Sequence, residues 1–258
     1  MTKLPPKNPV DLSVIILNYN SAKYLSKCLQ SIKKSNFKPY NIEFIIIDNA
    51  STDNSFSSVK NINLPNSKFI NSPGNIGFSA GNNFGLKFIS NPKYVLFLNP
   101  DTVIKPNTLS GMVKYLDLHP EVDAATCDVI LALTGKTQLE CHRGFPTPFN
   151  TFWHFFGFGL PKLFPKSRFF NGYFLGYLDY TKPQLIDCCV GAFLMLKKAV
   201  GDTIGWWNEK YFFYGEDLDF CYKLKQNNYQ LNFIPQFKIT HFQGISSGIK
   251  RTQSTASR

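Results

Sequence analysis

Tyr94-Val95-Leu96-Phe97-Leu98-Asn99-Pro100-Asp101 carries the clearest architectural signal in the chain. Five apolar residues in a row end abruptly in a turn former and a carboxylate. The pattern recurs: Ile45-Ile46-Ile47 ends in Asp48-Asn49, and Phe212-Phe213-Tyr214 leads into Gly215-Glu216-Asp217-Leu218-Asp219. Short unbroken apolar runs read as strands buried on both faces of a parallel sheet. In such sheets ligands bind beyond the carboxyl ends of the strands, so acids placed there are candidates for chemistry.

Working outward, Val14–Leu17 reads as a first strand. Tyr24, Leu25, Cys28, Leu29 and Ile32 then follow the spacing of an amphipathic helix, with Asn20 or Ser21 as its cap. Strands are expected over residues 44–47, 68–70 and 94–98. Helices are expected over residues 79–89, after Pro106-Asn107 with Leu109, Met112, Val113 and Leu116 on one face, and over residues 218–224. Alternating strands and helices imply βαβ units with right-handed crossovers and a mostly parallel sheet. Residues 187–197 read as a further buried apolar segment. The stretch from Gly144 to Gly176 differs: it is dense in Phe, Trp and Tyr, carries Lys162, Lys166 and Arg168, and is broken by four prolines. The reading is one α/β domain over residues 10–247, with halves 10–125 and 126–247 and an aromatic-rich insert. A flexible tail is expected over residues 248–258.

The chain has 258 residues, is 43% hydrophobic and carries a net charge of +11. The excess of Lys and Arg favours an anionic partner or a solubilising surface. The six cysteines include no C-x-x-C pair and most sit in apolar segments, so they read as reduced and structural. No apolar stretch suits a signal peptide or a membrane span, which points to the cytoplasm. The Gly74-x-x-Gly77-x-x-x-Gly81-x-x-x-Gly85 loop is not a dinucleotide fingerprint, and there is neither a P-loop nor a G-x-S-x-G elbow.

Four clusters remain. Asp48-Asn49 can hydrogen-bond a base or ribose, or form a turn and cap. Asp101 can hold a hard divalent cation such as Mg²⁺ or Mn²⁺ with oxygen ligands, or follow a turn begun by Asn99-Pro100. Glu216 and Asp217 can supply a general base, or serve the dipole of a helix start. His241 can complete a Mn²⁺ site with Asp101, or be structural.

Taken together, Ser13–Asn20, Ile46–Asp53, Asn75–Asn83, Leu98–Thr102, Gly191–Met195, Phe212–Asp219 and His241-Phe242-Gln243-Gly244 occur in an order that resembles family 2 glycosyltransferases of the GT-A fold, the rhamnosyltransferase-like branch above all. The resemblance runs from about Val10 to Ser247. It implies a Rossmann-like GT-A architecture and inverting transfer from a nucleotide-diphospho-sugar, with rhamnose on dTDP favoured and UDP-linked hexoses as the alternative. It places Asn18, Tyr19, Asp48, Asn49, Asn75, Gly77 and Asn99 on the donor side. Asp101 and His241 become the Mg²⁺ or Mn²⁺ ligands, Asp217 the general base and Glu216 its support. Asn99 stands where the family's D-x-D motif has its first Asp.

The implied acceptor is a glycan or lipid-linked oligosaccharide at the cytoplasmic face of a membrane. There the aromatic and basic insert suits peripheral contact with anionic lipid, or alternatively covers the core. Three rivals stand beside this reading. They are an inactive nucleotide-sugar-binding scaffold, a nucleic-acid binder, which lacks a reading module, and a sugar nucleotidyltransferase, which lacks a Gly-rich basic signature at the first strand.

Overall fold

The computed structural model describes residues 9–242 apart from Ala22. Gln243, Gly244 and the rest of the expected domain end and tail lie outside the described residues. The strands are β1 (Leu12–Asn18), β2 (Ile42–Asp48), β3 (Ser67–Asn71), β4 (Tyr94–Leu98), β5 (Thr102–Ile104), β6 (Ala124–Leu131), β7 (Gln184–Leu185), β8 (Phe193–Lys197) and β9 (Leu231–His241). The helices are α1 (Lys23–Lys33), α2 (Phe78–Leu86), α3 (Thr108–Leu118), α4 (Pro148–Phe156), α5 (Leu160–Leu163), α6 (Lys198–Ile204) and α7 (Glu216–Gln226).

The strands form one sheet in the order β3-β2-β1-β4-β8-β6-β9-β5, with β7 also on β9. From β3 to β4 all pairings are parallel. Every residue of β1, β2 and β4 is buried, including the polar Ser13 and Glu43, which bond each other across the strands. Beyond β4 the sheet is mixed: β8 runs antiparallel to both β4 and β6, β5 and β7 antiparallel to β9, and β6 parallel to β9. The parallel character therefore belongs to the first half. Helical crossovers α1 and α2 and a loop with one short 3-10 turn between β2 and β3 build that half, whereas the second half threads β8 between β4 and β6.

Helix α3 buries Leu109, Met112, Val113 and Leu116, the face its spacing marks. Helix α2 begins at Phe78 and ends at Leu86, slightly before the expected span. It lies close on the sheet because Gly85 has no side chain: a Cβ there would stand 2.5 Å from the Ile47 methyl. The expected cap of α1 is used differently. The Asn20 side-chain Oδ1 accepts from the N–H groups of Thr52 and Asp53, and the Ser21 hydroxyl donates to Asn18 Oδ1, so both tie loops together at the strand ends. Phe97 of β4 meets Trp207, which in turn packs on Phe220 of α7 with ring centres 4.5 Å apart. That ring stack sets α7 against the carboxyl ends of the parallel strands. All six cysteines are free and buried.

Candidate active site

A cleft of about 400 Å³ opens at the carboxyl ends of β1, β2 and β4, within the size range of small-molecule sites. Of the residues singled out from the sequence, Tyr19, Asn49, Asn75, Gly77, Asn99, Asp101, Glu216, Asp217 and His241 line it. Asn18 and Asp48 do not; they sit behind its wall.

Asn18 and Asp48 are register partners at the ends of β1 and β2. Asn18 is fully buried. Its Nδ2 donates to Asp48 Oδ1 at 2.8 Å, Ser51 Oγ at 3.0 Å and Ser55 Oγ at 2.9 Å, while Oδ1 accepts from Ser21. Asp48 also accepts from the Ser51 hydroxyl and N–H at 2.6 and 3.2 Å. Next along the chain, Asn49 welds the end of β2 to the following loop. Its Nδ2 donates to Asn75 Oδ1 and the Gly77 carbonyl, and its Oδ1 accepts from Ser72 Oγ and the Ile76 N–H. One amide thus satisfies four loop groups, so Asn49, Asn75 and Gly77 act as one rigid wall.

Gly77 has φ +85°, a conformation that disfavours side chains. A Cβ there would also stand 2.7 Å from the Phe212 carbonyl, which accepts from the Phe78 N–H at 2.8 Å. The absence of a side chain is what lets the aromatic turn from the second half dock on the first.

At one side of the cleft Asp101, His241 and Gln138 form a buried chain. His241 Nε2 lies 3.2 Å from Asp101 Oδ1, and His241 Nδ1 lies 2.8 Å from Gln138 Oε1. Strand pairing causes this: Thr102 on β5 is the register partner of His241 on β9, and Leu131 on β6 pairs with His241 from the other side. His241 thus turns one ring nitrogen to Gln138 and the other to Asp101. An imidazole nitrogen and a carboxylate oxygen brought together in this way are ligand types that suit a shared cation. Among the described residues no group of three or more His, Cys, Asp and Glu side chains is positioned to hold a metal. A divalent ion on Asp101 and His241 would need further oxygens from substrate phosphates and water, which is the habit of Mg²⁺.

Across the cleft stand Glu216 and Asp217, the first two residues of α7. Tyr214 and Gly215 take φ values of +70° and +91°, and these two left-handed residues turn the chain sharply into the helix. The Glu216 side chain is nearly buried and its Oε2 has no hydrogen-bond partner. Burial, reinforced by the neighbouring Asp217 charge, lifts its pKa to about 6. Asp217 Oδ1 accepts from the Leu218 N–H at 2.8 Å, and Oδ2 faces Arg143 Nη2 at 3.2 Å. Burial raises the Asp217 pKa and the Arg143 guanidinium opposes it; burial prevails. Phe212, Phe213 and Tyr214 complete this wall.

Gln138 and Arg143 are the residues that sequence reasoning passed over as site members. Gln138 hangs from the turn after β6, its N–H bonded to the Val129 carbonyl. Arg143 is delivered by reciprocal backbone bonds of 2.9 Å with Cys188. Neither carries a local motif.

Comparison with known proteins follows the same lines. The family model described as glycosyl transferase family 2 matches residues 13–204. The low-salt glycan biosynthesis hexosyltransferase Agl10 of Haloferax volcanii is 29% identical over 91% of this chain, which spans 68% of Agl10. Rhamnosyltransferase WbbL of Escherichia coli is 25% identical over 66% of this chain and 62% of its own length. Among solved structures, residues 1–349 of Staphylococcus aureus TarS in complex with UDP-GlcNAc align with a TM-score of 0.60 at 21% identity, covering 93% of this chain and 61% of that one. GalNAc-T7 with UDP, GalNAc and Mn²⁺ gives 0.65 at 17% identity, covering 92% of this chain and 44% of its own. These neighbours share the GT-A fold.

Proposed function

The chain belongs to glycosyl transferase family 2, and on that premise we propose that it is an inverting enzyme drawing on a nucleotide-diphospho-sugar. The favoured donor is dTDP-rhamnose, with a UDP-linked hexose second. The acceptor is a hydroxyl of a glycan or lipid-linked oligosaccharide, in cell-surface polysaccharide synthesis at the cytoplasmic side of a membrane. The observation that carries the reading is that buried Glu216, half-buried Asp217 and the Asp101–His241 pair open onto the same cleft. A single displacement needs a base at one side and tolerance of negative charge at the other.

In this scheme Asp217 takes the proton of the acceptor hydroxyl as its oxygen bonds to the anomeric carbon from the face opposite the donor phosphate. The bond from that carbon to the diphosphate breaks, and its electron pair leaves with the nucleoside diphosphate. Arg143 keeps Asp217 oriented and favours its ionised form, while Glu216 supports the same wall. Tyr19 and the wall formed by Asn49, Asn75 and Gly77 shape the nucleoside site, and Asn18 and Asp48 act from behind by fixing Ser51 and the strand ends. Asp101 and His241 would hold Mg²⁺ or Mn²⁺, which when bound supplies charge neutralisation for the leaving diphosphate. Asn99 lines the cleft as a neutral neighbour, so the protein itself brings one carboxylate to that position.

Rhamnose is supported by the likeness to WbbL, a rhamnosyltransferase, and hexosyl transfer more broadly by the likeness to Agl10. The UDP-GlcNAc held by TarS makes UDP the second nucleotide to test. Thermal stabilisation by dTDP, UDP and GDP, each with and without Mn²⁺, separates the choices. A nucleotide at 100 times its Kd adds about 2.7 kcal/mol. A Mn²⁺-dependent shift selective for dTDP is expected. A UDP-selective shift would move the donor, and no shift with any nucleotide would sink the reading.

A further inference from the structure

The insert leaves a surface that the cleft does not use. No residue of α4 or α5 is buried. Helix α4 starts at a capping box, in which Thr147 and Asn150 bond each other's backbone N–H. It is then held by rings: Trp153 packs on Phe169 and Phe170, with centroids 5.4 and 4.7 Å apart. This ring cluster occupies one side of the helix and leaves Phe152 and Phe156, one turn apart, facing water. At the α4–α5 turn Phe158 takes φ +45° and Gly159 φ +87°. Phe158 is 93% exposed, and Leu163 on α5 is 72% exposed. A left-handed conformation is unfavourable for an aromatic residue, and here it throws the ring outward.

Charge gives this face its direction. Lys162, Lys166 and Arg168 of the same segment are exposed, and Arg168 lies over the Tyr177 ring at 5.0 Å. From Gly144 to Leu178 the chain holds those three cations and no Asp or Glu. Protein–protein interfaces are depleted in lysine, whereas aromatic rings among lysines suit the boundary between lipid headgroups and acyl chains. Among the described residues no helix is long and apolar enough to cross a membrane.

We propose that the α4–α5 insert docks on an anionic lipid bilayer, with Phe152, Phe156, Phe158 and Leu163 entering the interface and Lys162, Lys166 and Arg168 on the lipid phosphates. The proposal deepens the glycosyltransferase reading, and it rests on that reading for its purpose, the capture of acceptors carried on lipid. The root of the insert joins the helix that bears the cleft carboxylates. Phe145 packs edge-on against Tyr222 of α7 at 5.7 Å, and Arg143 reaches Asp217. Docking would therefore seat the acceptor side of the cleft at the membrane plane.

The test is co-sedimentation of the full chain with phosphatidylcholine vesicles, with and without phosphatidylglycerol, at low and high salt. Binding is expected only with phosphatidylglycerol, weakened by salt. Replacing Phe152, Phe156 and Phe158 together by Ser should lower it by roughly tenfold or more, as should Lys162→Gln, Lys166→Gln and Arg168→Gln combined. The nucleotide-induced thermal shift, measured on the same variants, should be retained and shows that they are folded. Wild-type protein left in the supernatant with both vesicle types would overturn the proposal. So would undiminished binding by both variants, or a salt-insensitive dimer that the Phe variant dissolves, since the rings would then cover a second copy. Vesicle binding without any nucleotide shift would support the docking face while removing the donor site.

Discussion

Two buried carboxyl environments flank the cleft, and they are built by opposite rules. At the ends of β1 and β2, Asp48 receives hydrogen bonds from Asn18 and from both the hydroxyl and the N–H of Ser51. At the start of α7, Glu216 keeps a buried oxygen with no partner, and Asp217 spends its second oxygen on Arg143. A saturated carboxylate fixes the chain around it. A buried carboxyl oxygen left unsatisfied is costly and is retained where a ligand or proton will use it. The contrast separates the residues that shape the cleft from those placed to act in it.

Four substitutions break or sharpen that contrast. Asp217→Asn should lower kcat by about 10²–10⁴-fold, the usual worth of a general base, while the nucleotide thermal shift stays intact. A variant that kept near-normal turnover would remove Asp217 from the base role. Asn18→Ala acts on the saturated side. It strips Asp48, Ser51 and Ser55 of a shared donor, and should cost roughly 2–3 kcal/mol of stability by denaturant midpoint. An unchanged midpoint would mean that the cluster is not saturated from within.

Glu216→Gln should do the reverse and stabilise. The carboxyl has a pKa of about 6 in the fold against an ordinary 4.5. The native state therefore holds the proton more tightly, and stability falls as pH rises through that window. The cost is absent below 4.5 and complete above 6. Removing the charge should return about 1–2 kcal/mol above pH 6 and nothing in acid. Melting curves at two pH values decide this. The smallest effect is expected from Arg143→Met. Arg143 opposes the upward push of burial on Asp217, so its loss should move the acid limb of the kcat–pH profile to higher pH with little change on the alkaline plateau. A limb that stays put or moves to lower pH would show that Arg143 does not govern the ionisation of Asp217.

Legibility in the sequence followed locality. Strands β1, β2 and β4 are built on the apolar runs 14–17, 44–47 and 94–98, and β4 begins and ends where its run does. Helix α3 shows its buried face at helical spacing. By contrast β6, Ala124–Leu131, mixes Thr and Asp into its run, and β9 carries Pro235 and Gln236 in its middle. The β6–β9 register shifts between Cys127 and Asp128, where Ile234 is followed in the pairing by Lys238. That irregularity absorbs the proline, which a regular interior strand would not tolerate. The insert reads as aromatic and basic from composition. Its two short helices, held by a capping box and ring contacts rather than by apolar spacing, do not.

What the sequence determined by itself is the parallel half, the turn and acid residues at its strand ends, and a basic, aromatic segment of one charge sign. Apolar runs, cap residues and charge are properties of neighbours in the chain, so they can be read there. Tertiary structure decided which of those acids stand behind the cleft and which line it. It also brought Gln138 and His241 to Asp101, and Arg143 to Asp217. Those meetings depend on β9 lying between β6 and β5, and on one backbone bridge to Cys188. Such pairings join segments far apart in the chain, and it is the burial and hydrogen bonding of the whole sheet that selects them.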